Sequence, residues 1–302
     1  MTSDEEIEAL LGKAGPLTGF QLWKTTGGDL MDLWRTCMMS ERIEVRRIGV
    51  DYLRLDRRIE GYARLSPSVL RGFLTYSVAG LHGDPEIHRK AGLIEDHIRQ
   101  VSRAKMEIAL NTVSGIIERL DEGACLAAEM CTIVAGDVVY DMAHDMPRPE
   151  RSTRKIVNGS DMDLVFVMAD HVPDRLRRRL DEAVYEEKIR LLMAHHLKEE
   201  IDYVLKDITR VAEQLSFDTF PRMVACKILN EGKLLYGNRP LFESVKRMLD
   251  EKGITGRLHS MEFTAGRFRE QAQEALLKPG AGKASGDGRF LFYPAEESEE
   301  FE

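Results

Sequence analysis

Cysteine is scarce in this chain, and its pattern excludes two common structural uses of the residue. The four cysteines, Cys37, Cys125, Cys131 and Cys226, form no CxxC pair, and no histidine lies near them at the spacing of a zinc site. A disulfide framework requires more cysteines in a shorter chain. We therefore expect reduced thiols packed in the core.

Long hydrophobic runs are absent as well. No stretch reaches the ~18 consecutive apolar residues that a membrane-spanning helix needs. The first residues, MTSDEEIEALLGKAG, are acidic and lack the apolar segment of a signal peptide. The sequence predicts a soluble, cytoplasmic protein without a membrane contact.

An excess of positive charge is also missing, since 51 Asp and Glu outnumber 43 Lys and Arg to give a net charge of −8. This balance disfavours binding of nucleic acid through the overall charge of the protein, although a local basic groove remains compatible with it. Hydrophobic residues make up 43% and charged residues 31%, which is typical of a globular protein. The 302 residues suffice for one large or two ordinary domains.

The distribution of periodic segments predicts an α+β fold. Residues 1–120 are predicted to be mostly helical, and the spacing of apolar residues in 40–65 favours helix over strand. From residue 124 onward, short β-branched runs alternate with amphipathic segments. We predict a helical N-terminal region over 1–123, a second domain over 124–277, and a flexible acidic tail over 278–302.

The stretch VNGSDMDLVFV (157–167) carries two carboxylates at the front of an apolar run. Side chains alternate along a strand, so Asp161 and Asp163 share one face, with Cα atoms ~6–7 Å apart. Two carboxylates this close repel, and a magnesium ion removes that penalty. The alternative is a strand that begins at 162, with both aspartates in a solvated turn after Asn158-Gly159.

The segment SDMDLVFV (160–167) resembles the metal-binding strand of the DNA polymerase β-like nucleotidyltransferase superfamily, and in particular that of its small, or minimal, nucleotidyltransferases. The resemblance covers about 125–250. It implies a nucleotidyltransferase-type mixed β-sheet flanked by helices, with Asp161 and Asp163 as magnesium ligands. It also implies a glycine turn upstream and a third carboxylate downstream.

The implied glycine turn lies at TIVAGDVVYDMAHD, between a predicted strand and a predicted helix. In the family the turn binds the nucleoside triphosphate, which places Gly136, Asp137 and Ser160 at the nucleotide. Asp137 stands where the family has Ser or Gly. The basic residues of the next loop offer a phosphate clamp or a solvated surface: Arg148, Arg151, Arg154 and Lys155.

The implied third carboxylate is Asp202, in the predicted strand EEIDYVLKD. It would act as a metal ligand or as the general base. Glu200 is its substitute, since alternation points both side chains the same way. A later segment, ILNEGKLLYG, also resembles the family through Ile228, Glu231, Gly232, Leu235, Tyr236 and Gly237, for which we expect a structural role.

The resemblance thus implies a magnesium-dependent nucleotidyltransferase. It would transfer a nucleoside monophosphate from a triphosphate, by default ATP, to an acceptor hydroxyl on a small molecule or a protein. Nucleic acid is the less favoured acceptor, and the N-terminal region would shape the acceptor site or a homo-oligomer interface. Two alternatives stay open. One is an inactive nucleotide-binding or regulatory protein that keeps the fold; the other is a helical regulatory protein whose aspartates are coincidental and lie far from Asp202.

Overall fold

The computed structural model describes residues 3–120, 126–150 and 152–278, and these form two compact units. Unit 1 comprises 3–97 and 260–278, and unit 2 comprises 98–259. The domain boundaries derived from sequence at 123 and 277 stay a prediction. The predicted tail lies, apart from Lys278, outside the described residues.

Unit 1 combines capped helices with two small antiparallel sheets. Its first helix begins after Ser3, whose hydroxyl accepts the Glu6 N–H while the Glu6 carboxylate accepts the Ser3 N–H. Strands β1, β5 and β2 form one sheet in that order, and β3 pairs with β4. The elements are α1 (Asp4–Ala14), β1 (Leu17–Thr18), α2 (Gly19–Thr26), α3 (Leu30–Met39), β2 (Ile43–Arg47), β3 (Tyr52–Leu55), β4 (Ala63–Ser66), α4 (Val69–Thr75), β5 (Ser77–Leu81), the start of α5 (Glu86–Leu120) and the end of α11 (Ile254–Leu277).

The helix predicted over 40–65 is wrong, because this segment forms β2, β3 and the start of β4. The β-branched residues Ile43 and Val45 pair with Leu81 and Ala79 of β5. Such residues pack well on a pleated surface, and pairing with a distant strand outweighs local helical spacing. The helices around these strands still confirm a helical N-terminal region.

Unit 2 is built on one mixed sheet of four strands in the order β10–β9–β6–β11. β9 and β10 are parallel, whereas β6 is antiparallel to both of its neighbours. Helices flank this sheet, which confirms the predicted α+β fold. The elements are α6 (Leu126–Glu129), β6 (Met130–Ala135), a 3-10 helix (Gly136–Tyr140), β7 (Pro147–Pro149), β8 (Ile156–Asn158), β9 (Met162–Met168), α7 (Asp174–Met193), β10 (Ile201–Asp207), α8 (Ile208–Gln214), α9 (Phe220–Glu231), β11 (Lys233–Gly237) and α10 (Arg239–Glu251), with parts of α5 and α11.

The core of unit 2 fixes which face of the sheet each side chain occupies. Leu164 and Phe166 of β9 are buried against α5 and α7, so their neighbours Asp163 and Val165 point to the opposite face. The helix predicted directly after Gly136 is reduced to the 3-10 turn, and β7 and β8 form a hairpin in the predicted loop.

The cysteines confirm the expectation of core thiols wherever they are described. Cys37, Cys131 and Cys226 are free and buried, and burial raises the pKa of each thiol to about 12. Cys125 lies outside the described residues. Across the described ranges, we find no helix with the length and apolarity required to cross a bilayer.

Candidate metal site

Three strand ends meet at one edge of the unit 2 sheet. Because β9 and β10 are parallel, both begin at this edge, and the antiparallel β6 ends there. Asp161 directly precedes β9, and Glu200 directly precedes β10. Within the sheet, Asp163 lies between Ala135 of β6 and Asp202 of β10. The topology thus collects four acidic residues from two separate segments of the chain.

Three of these carboxylates converge. Asp161, Glu200 and Asp202 each offer an oxygen, and the three oxygens lie within 4.8 Å of one another. Glu200 is buried, whereas the side chains of Asp161 and Asp202 are 37% and 33% exposed. A buried carboxylate with two solvent-facing partners forms a set of hard oxygen donors open on one side, as magnesium requires.

Arg148 is the cation nearest to the buried carboxylate. Its Nη2 lies 2.8 Å from Glu200 Oε2 and 3.5 Å from Asp161 Oδ2, while its Nε donates to the Gly159 carbonyl at 2.6 Å. The contact with Glu200 lacks hydrogen-bond alignment, so Oε2 accepts no hydrogen bond from any residue the structure describes. A buried, charged oxygen in this state is costly and available for a ligand.

The environment of Glu200 strongly shifts the pKa of its carboxyl group. Burial and the neighbouring Asp161 and Asp202 carboxylates raise the pKa of Glu200 to about 7, against the opposing effect of Arg148. Burial is the largest of these causes. At neutral pH this carboxyl group therefore binds its proton far more readily than an exposed glutamate does.

Lys188 of α7 holds the third carboxylate, with its Nζ 2.8 Å from Asp202 Oδ1. The sequence analysis missed this residue. It lies four residues after Val184 and three before Leu191, both buried, so helical spacing already placed it on the face that packs against the sheet. A lysine within an apolar helical stripe was the available signal.

Asp163 faces the glycine turn and is not part of the group of three. A Cβ added to Gly136 would lie 2.2 Å from Asp163 Oδ2, and Gly136 has φ +74°. Only glycine allows the backbone to approach this carboxylate so closely. Of the three ligands predicted from sequence, the structure brings Asp161 and Asp202 together, completes the group with the substitute Glu200, and places Asp163 beside the turn.

The Gly136 turn is anchored by Glu231, from the segment that the sequence analysis considered structural. The Gly136 N–H donates to Glu231 Oε1 at 3.2 Å, and the Tyr140 hydroxyl donates to Oε2 at 2.7 Å. Lys227 pairs with the same carboxylate at 3.0 Å, and both charged side chains are at most 5% exposed. A buried ion pair therefore binds the amide expected to face a phosphate.

The other residues predicted to bind nucleotide are dispersed. The Ser160 hydroxyl donates to Asp137 Oδ2 at 2.8 Å, which ties the glycine turn to the start of β9. Arg154 and Lys155 are exposed in the β7–β8 turn, and Arg151 lies outside the described residues. In this loop it is Arg148 that reaches the acidic group.

Substituting Gly136 by alanine is expected to destabilise the protein by about 2 kcal/mol beyond the backbone cost of an alanine at positive φ, because the new methyl group overlaps Asp163. Gly15→Ala is the matched control, since Gly15 has the same φ of +74° with nothing within 4 Å of its Cβ position. Urea unfolding followed by circular dichroism measures both. Equal losses for the two variants would contradict the close approach.

Comparisons with known proteins add little to this geometry. No protein-family model matches the sequence, and no curated protein matches it. Among solved structures, one chain of the crystal structure of a mutant toxin–antitoxin MntA-HpeT is similar, with 13% identity and a TM-score of 0.23. The match covers 56% of this chain and 98% of that chain. A similarity of this size carries no argument, so the functional inference rests on the side chains at the sheet edge.

Proposed function

We propose that the protein is a magnesium-dependent nucleotidyltransferase whose site lies at the edge of the unit 2 sheet. The observation that carries this proposal is the convergence of Asp161, Glu200 and Asp202 within 4.8 Å, from the starts of two parallel strands. The order of the elements supports it: a strand, a glycine turn, an aspartate-led strand, a helix and a second acidic strand.

The residues present fit a divalent cation. Their donors are carboxylate oxygens, and the buried Glu200 Oε2 accepts no hydrogen bond within the described part of the chain. When bound there, magnesium would neutralise phosphate charge and favour ionisation of an attacking hydroxyl. Asp161 and Asp202, being partly exposed, leave one side open to water and substrate oxygens.

The side chains around the acidic group would position the reactants. Arg148 and Lys188 reach the carboxylates from two sides and would contact triphosphate oxygens once a cation shares the negative charge. Asp202 would take the proton of the acceptor hydroxyl, whose oxygen forms a bond to the α-phosphorus. The bond from that phosphorus to the bridging oxygen breaks, and pyrophosphate leaves. Positioning and charge complementarity supply most of such catalysis.

ATP remains our default nucleotide, and the proposed acceptor is a hydroxyl of a small molecule or of a protein. The net charge of −8 makes a nucleic-acid acceptor the less favoured choice. Assembly into a homo-oligomer, through the helical N-terminal region, is part of the same proposal.

A second candidate, a metal- or nucleotide-binding protein without turnover, is favoured by one specific observation. The amide at the glycine turn donates to the Glu231 carboxylate, and Asp137 stands next to it where the family has Ser or Gly. The amide is thus already bonded, and the Asp137 carboxylate beside it repels a triphosphate. The two candidates differ in whether a bound nucleotide is turned over.

A thermal-shift screen with magnesium and each of the four nucleoside triphosphates tests the proposal. We expect magnesium together with one triphosphate to raise the Tm above the value with magnesium alone. The double variant Asp161→Asn, Asp202→Asn should lose both shifts, whereas the control Asp174→Asn, at an exposed helix position, should keep them. A shift with magnesium that no triphosphate increases further would favour the second candidate. An unchanged shift in the double variant would refute the metal site.

The same screen also tests whether Asp163 is a magnesium ligand. Asp161→Asn with Asp163→Asn should abolish the magnesium shift through the loss of Asp161, and Asp163→Asn alone should retain part of it, because Asp163 lies outside the group of three. Complete loss in Asp163→Asn alone would make that residue a ligand in its own right. Release of pyrophosphate, measured with candidate acceptors, would then separate turnover from binding.

A further inference from the structure

Unit 1 contains a small cavity lined by arginine, remote in sequence from the acidic group. The cavity measures about 10 Å³ and lies where the β4–α4 junction meets α11. Its walls combine two guanidinium groups, one hydroxyl and apolar surface. The lining residues are Arg64, Leu65, Ser68, Val69, Ala265, Phe268 and Arg269.

Arg269 is a buried cation with an unused donor. It is 6% exposed, and its Nη1 donates to the Pro67 carbonyl at 2.6 Å and to Asp51 Oδ1 at 3.2 Å. Its Nε–H finds no acceptor among the residues that the structure describes. Buried polar groups almost always have a partner, so this guanidinium N–H at a cavity is available to an acceptor that the described residues do not supply.

The carboxylate that Arg269 uses is shared. Arg47 binds both oxygens of Asp51, at 2.9 and 2.6 Å, so this one negative charge serves two guanidiniums. Burial lowers the pKa of Arg269 to about 10, with Asp51 opposing this effect and Arg47 and Arg64 adding to it. Arg269 therefore shares the Asp51 carboxylate with a second guanidinium.

A second buried arginine, Arg64, lines the same cavity. Arg64 is 6% exposed, and its Nε lies 3.2 Å from Asp56 Oδ2. Asp56 is already bound by Arg58 through both oxygens, at 2.9 and 2.7 Å. Here too one carboxylate contacts two guanidiniums, so the cavity wall contributes a second buried positive group.

We propose that this cavity binds a phosphate group between Arg64 and Arg269. The planar guanidinium fork matches phosphate oxygens and supplies charge-assisted hydrogen bonds. A volume of about 10 Å³ admits one water-sized atom, which corresponds to one phosphate oxygen. The phosphate comes either from solution or from a phosphomonoester whose organic part stays at the cavity mouth, against Leu65 and Phe268.

The test compares inorganic phosphate with chloride at equal ionic strength, by thermal shift and calorimetry on the full chain. We expect a phosphate-specific rise in Tm. Ala265→Met fills the cavity without changing charge and should weaken phosphate binding at least about tenfold, the size of one lost charge-assisted bond. Ala275→Met, at an exposed position of the same helix, should leave binding unchanged.

A third variant is expected to raise the affinity for phosphate. Asp51→Asn removes the internal carboxylate that competes for Arg269, so phosphate should bind more tightly to it than to the unaltered protein. Ribose 5-phosphate distinguishes the two possible ligands. Binding tighter than that of phosphate would identify a phosphomonoester as the ligand, and equal binding would identify the free phosphate ion. The proposal fails if phosphate and chloride stabilise the protein equally, if Ala265→Met binds as well as Ala275→Met, or if Asp51→Asn binds more weakly.

Discussion

Replacing Glu231 by glutamine is expected to destabilise unit 2 by about 3–5 kcal/mol, the usual cost of breaking a buried ion pair by removing one partner. The substitution leaves Lys227 charged at 4% exposure without its carboxylate. Glutamine still offers an oxygen to the Gly136 N–H or to the Tyr140 hydroxyl. The loss therefore reports mainly on the lysine that has lost the Glu231 carboxylate.

A second variant isolates that cause. Lys227→Met combined with Glu231→Gln removes both charges, so the double variant should be more stable than Glu231→Gln alone. The control Glu213→Gln breaks an exposed pair with Arg210 and should cost well under about 1 kcal/mol. Urea unfolding measured by far-ultraviolet circular dichroism gives all three values. A double variant no more stable than Glu231→Gln alone would show that the pair does not account for the loss.

The sheet and its acidic edge could be predicted because local signals coincide there. The run Met162–Met168 contains Val165, Phe166 and Val167 in a row, and it lies in the interior of the sheet. Alternation in β10 separates Asp202 from Tyr203, and the observed parallel register places Asp202 beside Asp163. These features depend on short-range periodicity, which sequence shows directly.

The choice between Asp163 and Glu200 could not be made in the same way. Both have the correct alternation, but Asp163 is confined between two strands and faces the Gly136 turn, whereas Glu200 stands just before β10. Which carboxylate reaches Asp161 depends on how β6 ends against β9. That is a tertiary relation with no local pattern in the sequence.

Arg148 shows a similar limit. All basic residues of the loop were equivalent in sequence, but the β7–β8 hairpin turns Arg148 inward, toward Gly159 and Glu200, and leaves Arg154 exposed. Glu150 stabilises this hairpin by accepting four hydrogen bonds from Ser152 and Thr153. The direction of each side chain follows from that capped turn.

Glu200→Gln is expected to stabilise the metal-free protein at pH 8 by roughly 3 kcal/mol, which is the free energy of a pKa shift from 4.5 to about 7. Between these pH values the folded protein keeps a proton that the unfolded chain has lost. Stability of the unaltered protein should therefore fall as pH rises from about 4.5 to 7, and level off above that range. Glutamine carries no titrating proton, so this fall should be absent in the variant.

Urea unfolding at pH 4 and pH 8, with a chelator present, measures the effect. At pH 4 Glu200 is neutral in both states, so the two proteins should have similar stability. Glu186→Gln, at an exposed position of α7, serves as the control and should match the unaltered protein at both values. Equal stability of Glu200→Gln and the unaltered protein at pH 8 would contradict a buried, strained carboxylate.

With magnesium present at pH 8, we expect the difference in stability between Glu200→Gln and the unaltered protein to change sign. A cation binds the ionised Glu200 and removes the penalty, so magnesium at pH 8 should stabilise the unaltered protein and have little effect on Glu200→Gln. At lower pH the proton competes with the metal, and the magnesium effect should weaken below about pH 7. A carboxylate that costs stability in the absence of metal and gains it in the presence of metal is the pattern expected of a ligand. A purely structural glutamate would show the same sign under both conditions.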